Sequence, residues 1–157
     1  MIRVLDDLIF RVKVRTSLWT LWAIWPPEVD LVSLTPPQRR GQIIALLDCL
    51  DLLSSLISLE SLLRTQYSRR RISRSEHNEL VDHYRQIEDR LQDFSLYFQT
   101  LPKAARLAEV EQVQKKLSFY QVQYKKKRQS DDLDQVLILK RLLQYYQSVQ
   151  REERGSQ

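Results

Sequence analysis

Two clusters of basic side chains could bind phosphate groups. Arginine dominates the first cluster and lysine the second, and together they comprise Arg69, Arg70, Arg71, Arg74, Lys125, Lys126, Lys127 and Arg128. Cations displace the counterions of a nucleic-acid backbone and bind it without reading its base sequence. Tyr67 and Tyr124 lie beside the two clusters in the sequence, where their rings could stack on unpaired bases.

The same cations have a simpler explanation as the solvated ends of helices. The helix dipole favours lysine and arginine near a C-terminus, and such cations also keep a surface soluble. However, the eight cations outnumber the four acids nearest to them in the sequence, which are Glu76, Asp131, Asp132 and Asp134. A net positive charge survives, so nucleic acid or another polyanion is a predicted partner.

The segment SLWTLWAIWPPEV places an indole at every third residue, Trp19, Trp22 and Trp25. On a helix these rings would share one sector, which could rest at a membrane interface while the preceding arginine and lysine residues meet anionic head groups. Alternatively, the rings pack on the rest of the protein or anchor a protein partner. We favour the protein contact, because the polar face of the segment is short for a helix that lies on a membrane.

The sequence offers little for catalysis or cofactor binding. With only two glycines, it contains neither a P-loop nor a dinucleotide-binding turn. Cys49, His77 and His83 are too few for a standard structural zinc site. Asp48 and Asp51 share a helix face and could pair as acid and base, but a hydrated face explains them better. We therefore expect no catalytic residue, metal site, cofactor or small-molecule substrate.

One short motif resembles a catalytic signature. The stretch RISRSEH, from Arg71 to His77, is similar to the Arg-x4–6-His motif of the HEPN-type ribonucleases, although Ile72 stands where that family often has a polar residue. The resemblance covers seven residues and implies an all-α dimer whose paired motifs cut RNA. By that resemblance Arg71 would stabilise the phosphate and His77 would assist proton transfer.

The elements that position all these residues are predicted to be helices. The chain has 157 residues, of which 43% are hydrophobic, enough for one globular domain around a single core. Two glycines and five prolines are too few for the turns that many short strands would need. We therefore predict an all-α protein.

Local signals place four long helices near residues 36–69, 75–101, 103–128 and 131–152. Thr35 and Gln38 have the spacing of a capping box around a proline in the first turn, and Ser73 with Glu76 repeats that box. Pro102 should end one helix and begin the next. Ser130 and Asp131 suit the start of the last helix.

The helices carry apolar stripes at helical spacing. The clearest heptad pattern belongs to the second of the four and consists of Leu80, Tyr84, Ile87, Leu91, Phe94, Phe98 and Leu101. The last helix has a seam of Leu133, Val136, Leu139, Leu143 and Tyr146. Its second apolar face is expected to dock a protein partner or another copy of the chain and includes Ile138, Leu142 and Tyr145.

The whole chain, residues 1–157, is predicted to form one helical domain, with an N-terminal element and loop at 1–34 and a bundle at 35–154. The apolar spacing of the first 25 residues favours an amphipathic helix, although residues 9–15 alternate as an edge strand would. Short connections make consecutive helices antiparallel, which predicts an up-down bundle of four long helices plus the N-terminal, Trp-bearing element. This arrangement would bring the two basic clusters to one end.

Charge, cysteine content and hydropathy favour a cytoplasmic location. The net charge is +5, and Cys49 is the only cysteine, which excludes an internal disulfide and suits a reducing compartment. Asp6 and Asp7 interrupt any signal-peptide core, and the uncharged run at 16–27 is shorter than the roughly 20 residues that cross a bilayer. A soluble or membrane-surface protein is expected.

Together these observations predict a non-enzymatic helical adaptor or assembly subunit whose basic end contacts nucleic acid or another polyanion. A protein partner or homo-oligomer would cover its spare apolar faces. The alternatives are a peripheral membrane protein anchored by the tryptophans, and a HEPN-like ribonuclease.

Overall fold

The computed structural model describes residues 15–67 and 74–155, and these residues are helical almost throughout. Helix α1 occupies residues 15–24 of the described part, and a 3₁₀ helix, Leu31–Ser33, follows it. The four long helices are α2 (Pro36–Tyr67), α3 (Arg74–Thr100), α4 (Lys103–Lys127) and α5 (Ser130–Gly155). No strand occurs in this part of the chain. The prediction of an all-α protein is confirmed.

The start of α2 shows why the local signals located the helices well. The backbone N–H of Thr35 donates to Oε1 of Gln38 at 2.9 Å, and the N–H of Gln38 donates to Oγ1 of Thr35 at 3.4 Å. This reciprocal pair is a capping box, which satisfies backbone donors that the helix itself leaves unpaired. The second predicted box involves Ser73, which lies outside the described residues. Residues 15–24 are helix, as predicted, whereas residues 9–14, which carry most of the strand-like alternation, lie outside the described residues.

The chain divides into two compact units. The first consists of Met1–Glu28 and Ala45–Leu91, and the second of Val29–Ile44 and Gln92–Gln157, so the boundaries fall inside α2 and α3. In the first unit the guanidinium of Arg90 donates to the carbonyls of Pro26 and Pro27, at 2.6 and 2.9 Å. This contact ties the end of the α1 segment to α3. The unit's core consists of Leu21, Leu46, Leu47, Cys49, Leu53, Leu56, Leu80, Ile87 and Leu91.

In the second unit α4 and α5 pack together as an antiparallel hairpin. Arg106, in the first turn of α4, pairs with Glu153 near the end of α5. One turn further along α4, Glu109 accepts a hydrogen bond from Tyr146, two turns earlier in α5. Residues later in α4 therefore lie beside residues earlier in α5, as in an antiparallel pair. The apolar core of this unit consists of Ile43, Phe94, Phe98, Val113, Val136, Leu139, Leu142, Tyr146 and Val149.

The buried line of α5 is shifted from the predicted seam. Leu143, placed in the seam, is only half-buried, whereas Leu142 is fully buried. The continuous buried line is Val136, Leu139, Leu142, Tyr146 and Val149. Steps of three and four both match a helix, so the stripe chosen from spacing alone was the wrong one at this turn. Because Leu142 belongs to the core, its predicted role in partner docking is wrong.

One segment of the described chain, Pro36–Leu59 in α2, is long and apolar enough to cross a membrane by length and composition alone. The core helix of a soluble protein meets the same criteria. Leu46, Cys49 and Leu53 in this segment have no exposed surface. The segment is therefore only weak evidence for a membrane span.

A buried polar network joins three helices of the second unit. Arg40, at the start of α2, is 8% exposed, and its Nε lies 3.2 Å from Oε1 of Glu109 in α4. Tyr146 in α5 donates its hydroxyl to the same oxygen at 3.0 Å. Burial raises the pKa of Tyr146, and the negative charge of Glu109 raises it further, so the phenol stays a donor. The carboxylate of Glu109 thus holds a buried cation and a buried hydroxyl together.

Removing the Glu109 carboxylate should destabilise the protein strongly. Glu109→Leu leaves Arg40 charged, buried and without its partner, and we expect the free energy of unfolding in urea to fall by about 3–5 kcal/mol. Glu111→Leu, at an exposed position on the same helix, is the matched control and should change it by less than about 0.5 kcal/mol. The double variant Arg40→Met, Glu109→Leu should recover much of the loss, because no unpaired charge remains. Equal effects of the two single variants would contradict this role.

Candidate polyanion-binding site

The lysine-rich cluster lies where α4 turns into α5. Helix α4 ends at Lys127, and Arg128 takes a left-handed backbone conformation with φ 55° and ψ 32°. Its N–H donates to the carbonyl of Tyr124 at 2.8 Å, which closes the last turn. Gln129 is the only residue between Arg128 and the first residue of α5, Ser130. The connection that carries the cations is therefore short, and its first residue caps α4.

The four cations of this turn, Lys125, Lys126, Lys127 and Arg128, are all exposed. None of them has an ion-pair partner among the described carboxylates within 4.0 Å. Asp131 and Asp132 follow in the first turn of α5, where the positive end of the helix dipole accounts for them. The charges of the cations are therefore turned to solvent rather than neutralised by contact.

Tyr124, predicted to stack on bases, is already engaged in the structure. The guanidinium carbon of Arg128 lies 5.5 Å from the centre of its ring, a cation–π contact, and the ring is half-buried. This contact also orients the Arg128 side chain. A more accessible aromatic ring on α4 is that of Phe119, which is 57% exposed.

The basic character extends along α4 beyond the turn. Residues 112–130 contain six cations and no acid, because Lys115 and Lys116 precede the four at the turn. Both lysines are exposed, and Phe119 lies between them and the turn. Lys115, Lys116 and Phe119 were not among the predicted site residues, because the prediction used only the longer runs of cations and the tyrosines beside them. The signal was present: Phe119 falls outside the apolar stripe of its helix.

The arginine-rich cluster lies mostly beyond the described residues. Three of its four members lie outside the described residues: Arg69, Arg70 and Arg71. Tyr67 is the last residue of α2, and Arg74 is the first residue of α3. The expected proximity of the two clusters stays a prediction.

The predicted docking residues of α1 differ in exposure. Trp19 is 75% exposed and Trp22 is 54% exposed, whereas Trp25 is half-buried. His83 in α3 makes edge contacts with two of the rings, with centroids 5.1 Å from Trp22 and 5.6 Å from Trp25. Trp19 is thus presented to solvent, while Trp22 and Trp25 are anchored to α3 within the first unit.

Of the three predicted docking residues of α5, Leu142 lies in the core, as described above. Ile138 and Tyr145 are half-buried. Burial raises the pKa of Tyr145, with a further contribution from the charge of Glu152. Ile138 and Tyr145 therefore keep part of their surface accessible, and their role in docking stays a prediction.

A small cavity of about 100 Å³ lies in the second unit. Its polar lining groups already have partners within the protein. Arg39 donates to the hydroxyl of Tyr97 at 3.3 Å and stacks over its ring. Glu109 pairs with Arg40 and accepts a hydrogen bond from Tyr146. The remaining walls are mainly aliphatic and aromatic. This arrangement explains stability rather than ligand recognition.

The groups considered for catalysis are placed as follows. Burial raises the pKa of the Cys49 thiol to about 11, and the charge of Asp48 adds to this effect, so the thiol is protonated at neutral pH. Desolvation raises the pKa of Asp48, with a further contribution from Asp51. His77 is half-buried in α3, and Arg71 lies outside the described residues. Within residues 15–67 and 74–155, no group of three or more His, Cys, Asp or Glu could hold a metal ion.

The fold and the site define an all-α protein with an exposed cationic helix end. Comparisons of the chain with protein-family models, with curated proteins and with solved structures find no match.

Replacing Arg128 should separate the contribution of its backbone from that of its side chain. Both Arg128→Gly and Arg128→Ala remove the guanidinium, but only glycine adopts a left-handed conformation without steric cost. We expect the glycine variant to be more stable than the alanine variant by about 1 kcal/mol in urea denaturation. If the alanine variant were the more stable of the two, the left-handed backbone conformation described at position 128 would be wrong.

Proposed function

We propose that the protein is a non-enzymatic helical subunit of a larger assembly, and that the basic end of α4 contacts nucleic acid or another polyanion. One observation carries this proposal: four consecutive exposed cations lie at a closed helix end and have no carboxylate partner among the described residues. A phosphate backbone supplies the missing counter-charge.

Two details support a binding role over a merely soluble helix end. The helix dipole stabilises cations in the last turn of a helix only. The acid-free stretch of α4, however, extends back to residue 112 and includes Lys115 and Lys116. Arg128 also occupies a left-handed position that glycine would fill more easily. The chain places a charged side chain there at a conformational cost.

The proposal includes an up-down bundle of the four long helices, in a cytoplasmic protein that joins other subunits or copies of itself. Support for the bundle comes from the short α3–α4 and α4–α5 connections, which favour antiparallel neighbours. In such a bundle the arginine-rich cluster would add its charge to that of Lys125–Arg128. Light scattering of the purified protein tests self-association.

Neutralising the turn should weaken polyanion binding and its salt dependence. In the triple variant Lys125→Gln, Lys126→Gln, Lys127→Gln, each lost phosphate contact should reduce the slope of log K against log salt by about 1. Binding to heparin and to nucleic acid would be measured by fluorescence anisotropy between about 50 and 200 mM salt.

The matched control neutralises three exposed cations at the opposite end of the α4–α5 hairpin, Lys103, Arg151 and Arg154. It changes the net charge by the same amount but leaves the turn intact. Equal loss in both triple variants would show a response to net charge alone and would count against the site. Absence of any polyanion binding by the intact protein would refute the proposal.

A second candidate function, association with an anionic membrane surface, is favoured by the exposure of Trp19 and Trp22. Arg15 is also exposed and lies one helical turn before Trp19, so a cation and an indole share one side of α1. Interfacial helices combine these residue types.

The membrane candidate predicts flotation with vesicles that contain phosphatidylserine. The double variant Trp19→Ala, Trp22→Ala should lose most of this flotation, because the exposed indoles supply the apolar contact. Val32→Ala is the control, since Val32 is 73% exposed but belongs to the second unit. If the intact protein stays at the bottom of the gradient, the membrane candidate is excluded.

A further inference from the structure

The outward side of α4 combines cations with apolar side chains in one stripe. Lys115, Phe119, Val122 and Lys126 are all exposed and follow one another in steps of four, three and four. On an α-helix these positions fall within a sector of roughly 60° and extend about 16 Å along the axis. The buried residue of α4, Val113, lies on the other side of the helix, facing the core.

Phe119 is held in place although it is exposed. Its ring meets that of Tyr120 in an edge contact, with centroids 5.2 Å apart and an angle of 79° between the planes. Tyr120 is half-buried and belongs to the inward stripe of α4. The neighbouring ring therefore orients Phe119, while more than half of the Phe119 surface stays open to solvent.

The charges around Phe119 select an anionic occupant. Residues 112–130 contain six cations and no acid, so α4 itself presents no negative charge to an anionic partner along this stretch. Lys115 and Lys116 lie one turn before Phe119, and Lys126 lies two turns after it. The ring is thus bracketed by positive charge along the helix axis.

The exposed ring narrows the choice among polyanions. In a single strand the bases are unpaired and can stack on an aromatic side chain, whereas a duplex keeps its bases stacked inside and heparin has none. An anionic bilayer would need a wider apolar face than Phe119 and Val122 provide, since Ser118 and Gln112 share that side of the helix. Cations that track a backbone beside an aromatic platform are typical of sites for unpaired strands.

We propose that the outward side of α4 binds single-stranded nucleic acid, with Phe119 stacking on a base and with Lys115 and Lys126 contacting phosphates on either side of it. The inference rests on the proposed function, because it names the polyanion that the basic end of α4 contacts. The strand runs along α4 from the Lys125–Arg128 turn towards Lys115.

The test uses the full chain and oligothymidylate of about 12 nucleotides, a length within the range that single-strand binding sites cover. Fluorescence anisotropy gives its affinity, and a duplex of the same length, heparin and phosphatidylserine vesicles are compared under the same salt conditions. Phe119→Ala should weaken oligothymidylate binding about 5- to 100-fold, the range that the loss of one stacked base produces.

Phe119→Leu is the decisive matched variant, since it keeps an apolar side chain but removes the aromatic face. If stacking holds the strand, the leucine variant loses as much affinity as the alanine variant, and Phe119→Trp keeps the affinity. Circular dichroism confirms that each variant retains its helices. Heparin and duplex binding should be unchanged in all three.

The other outcomes separate this inference from the proposed function. Equal affinity for heparin, duplex and single strand, with no effect of Phe119→Ala, overturns the inference but leaves a polyanion-binding end. Vesicle binding that depends on Phe119, without oligothymidylate binding, overturns it in favour of a membrane. If the intact protein binds none of these polyanions, the inference and the proposed function fail together.

Discussion

The packing of α4 against α5 is the interaction on which the candidate site depends. Helix α4 buries only Val113 completely, so it contributes little to the core, and its packing against α5 includes the Arg106–Glu153 and Glu109–Tyr146 contacts. The Glu109 carboxylate strengthens this contact by joining Arg40 and Tyr146 inside the unit. Because α4 is fixed on one side, its other side and its C-terminal turn present their cations in a defined geometry.

The boundaries of the long helices could be predicted from the sequence because they depend on local chemistry. Thr35 and Gln38 bond reciprocally, and Pro102 separates α3 from α4, whatever the rest of the chain does. The heptad of α3 was also informative: Leu80, Ile87, Leu91, Phe94 and Phe98 are all buried. Because α3 carries only one apolar stripe, that stripe identifies the buried face of the helix.

Tertiary packing decided what local patterns left open. Helix α5 is apolar on two adjacent faces, so spacing could not tell Leu142 from Leu143, and only the burial of the folded helix identifies Leu142 as the core residue. For the site, the consecutive charges were visible in the sequence, and the position of Phe119 outside the apolar stripe of α4 already indicated the exposure that the structure shows. The neighbour of Tyr124 could not be predicted either, because the left-handed turn at Arg128 directs that guanidinium onto the ring.

The position of the tryptophans has a consequence for spectroscopy. All three indoles of the chain lie between residues 19 and 25, inside the first unit, and two of them touch His83. Intrinsic tryptophan fluorescence therefore reports on the first unit alone. The far-UV circular dichroism of the helices, in contrast, reports on both units together. The chain carries a built-in label with which the cooperativity of its two units can be followed without any dye.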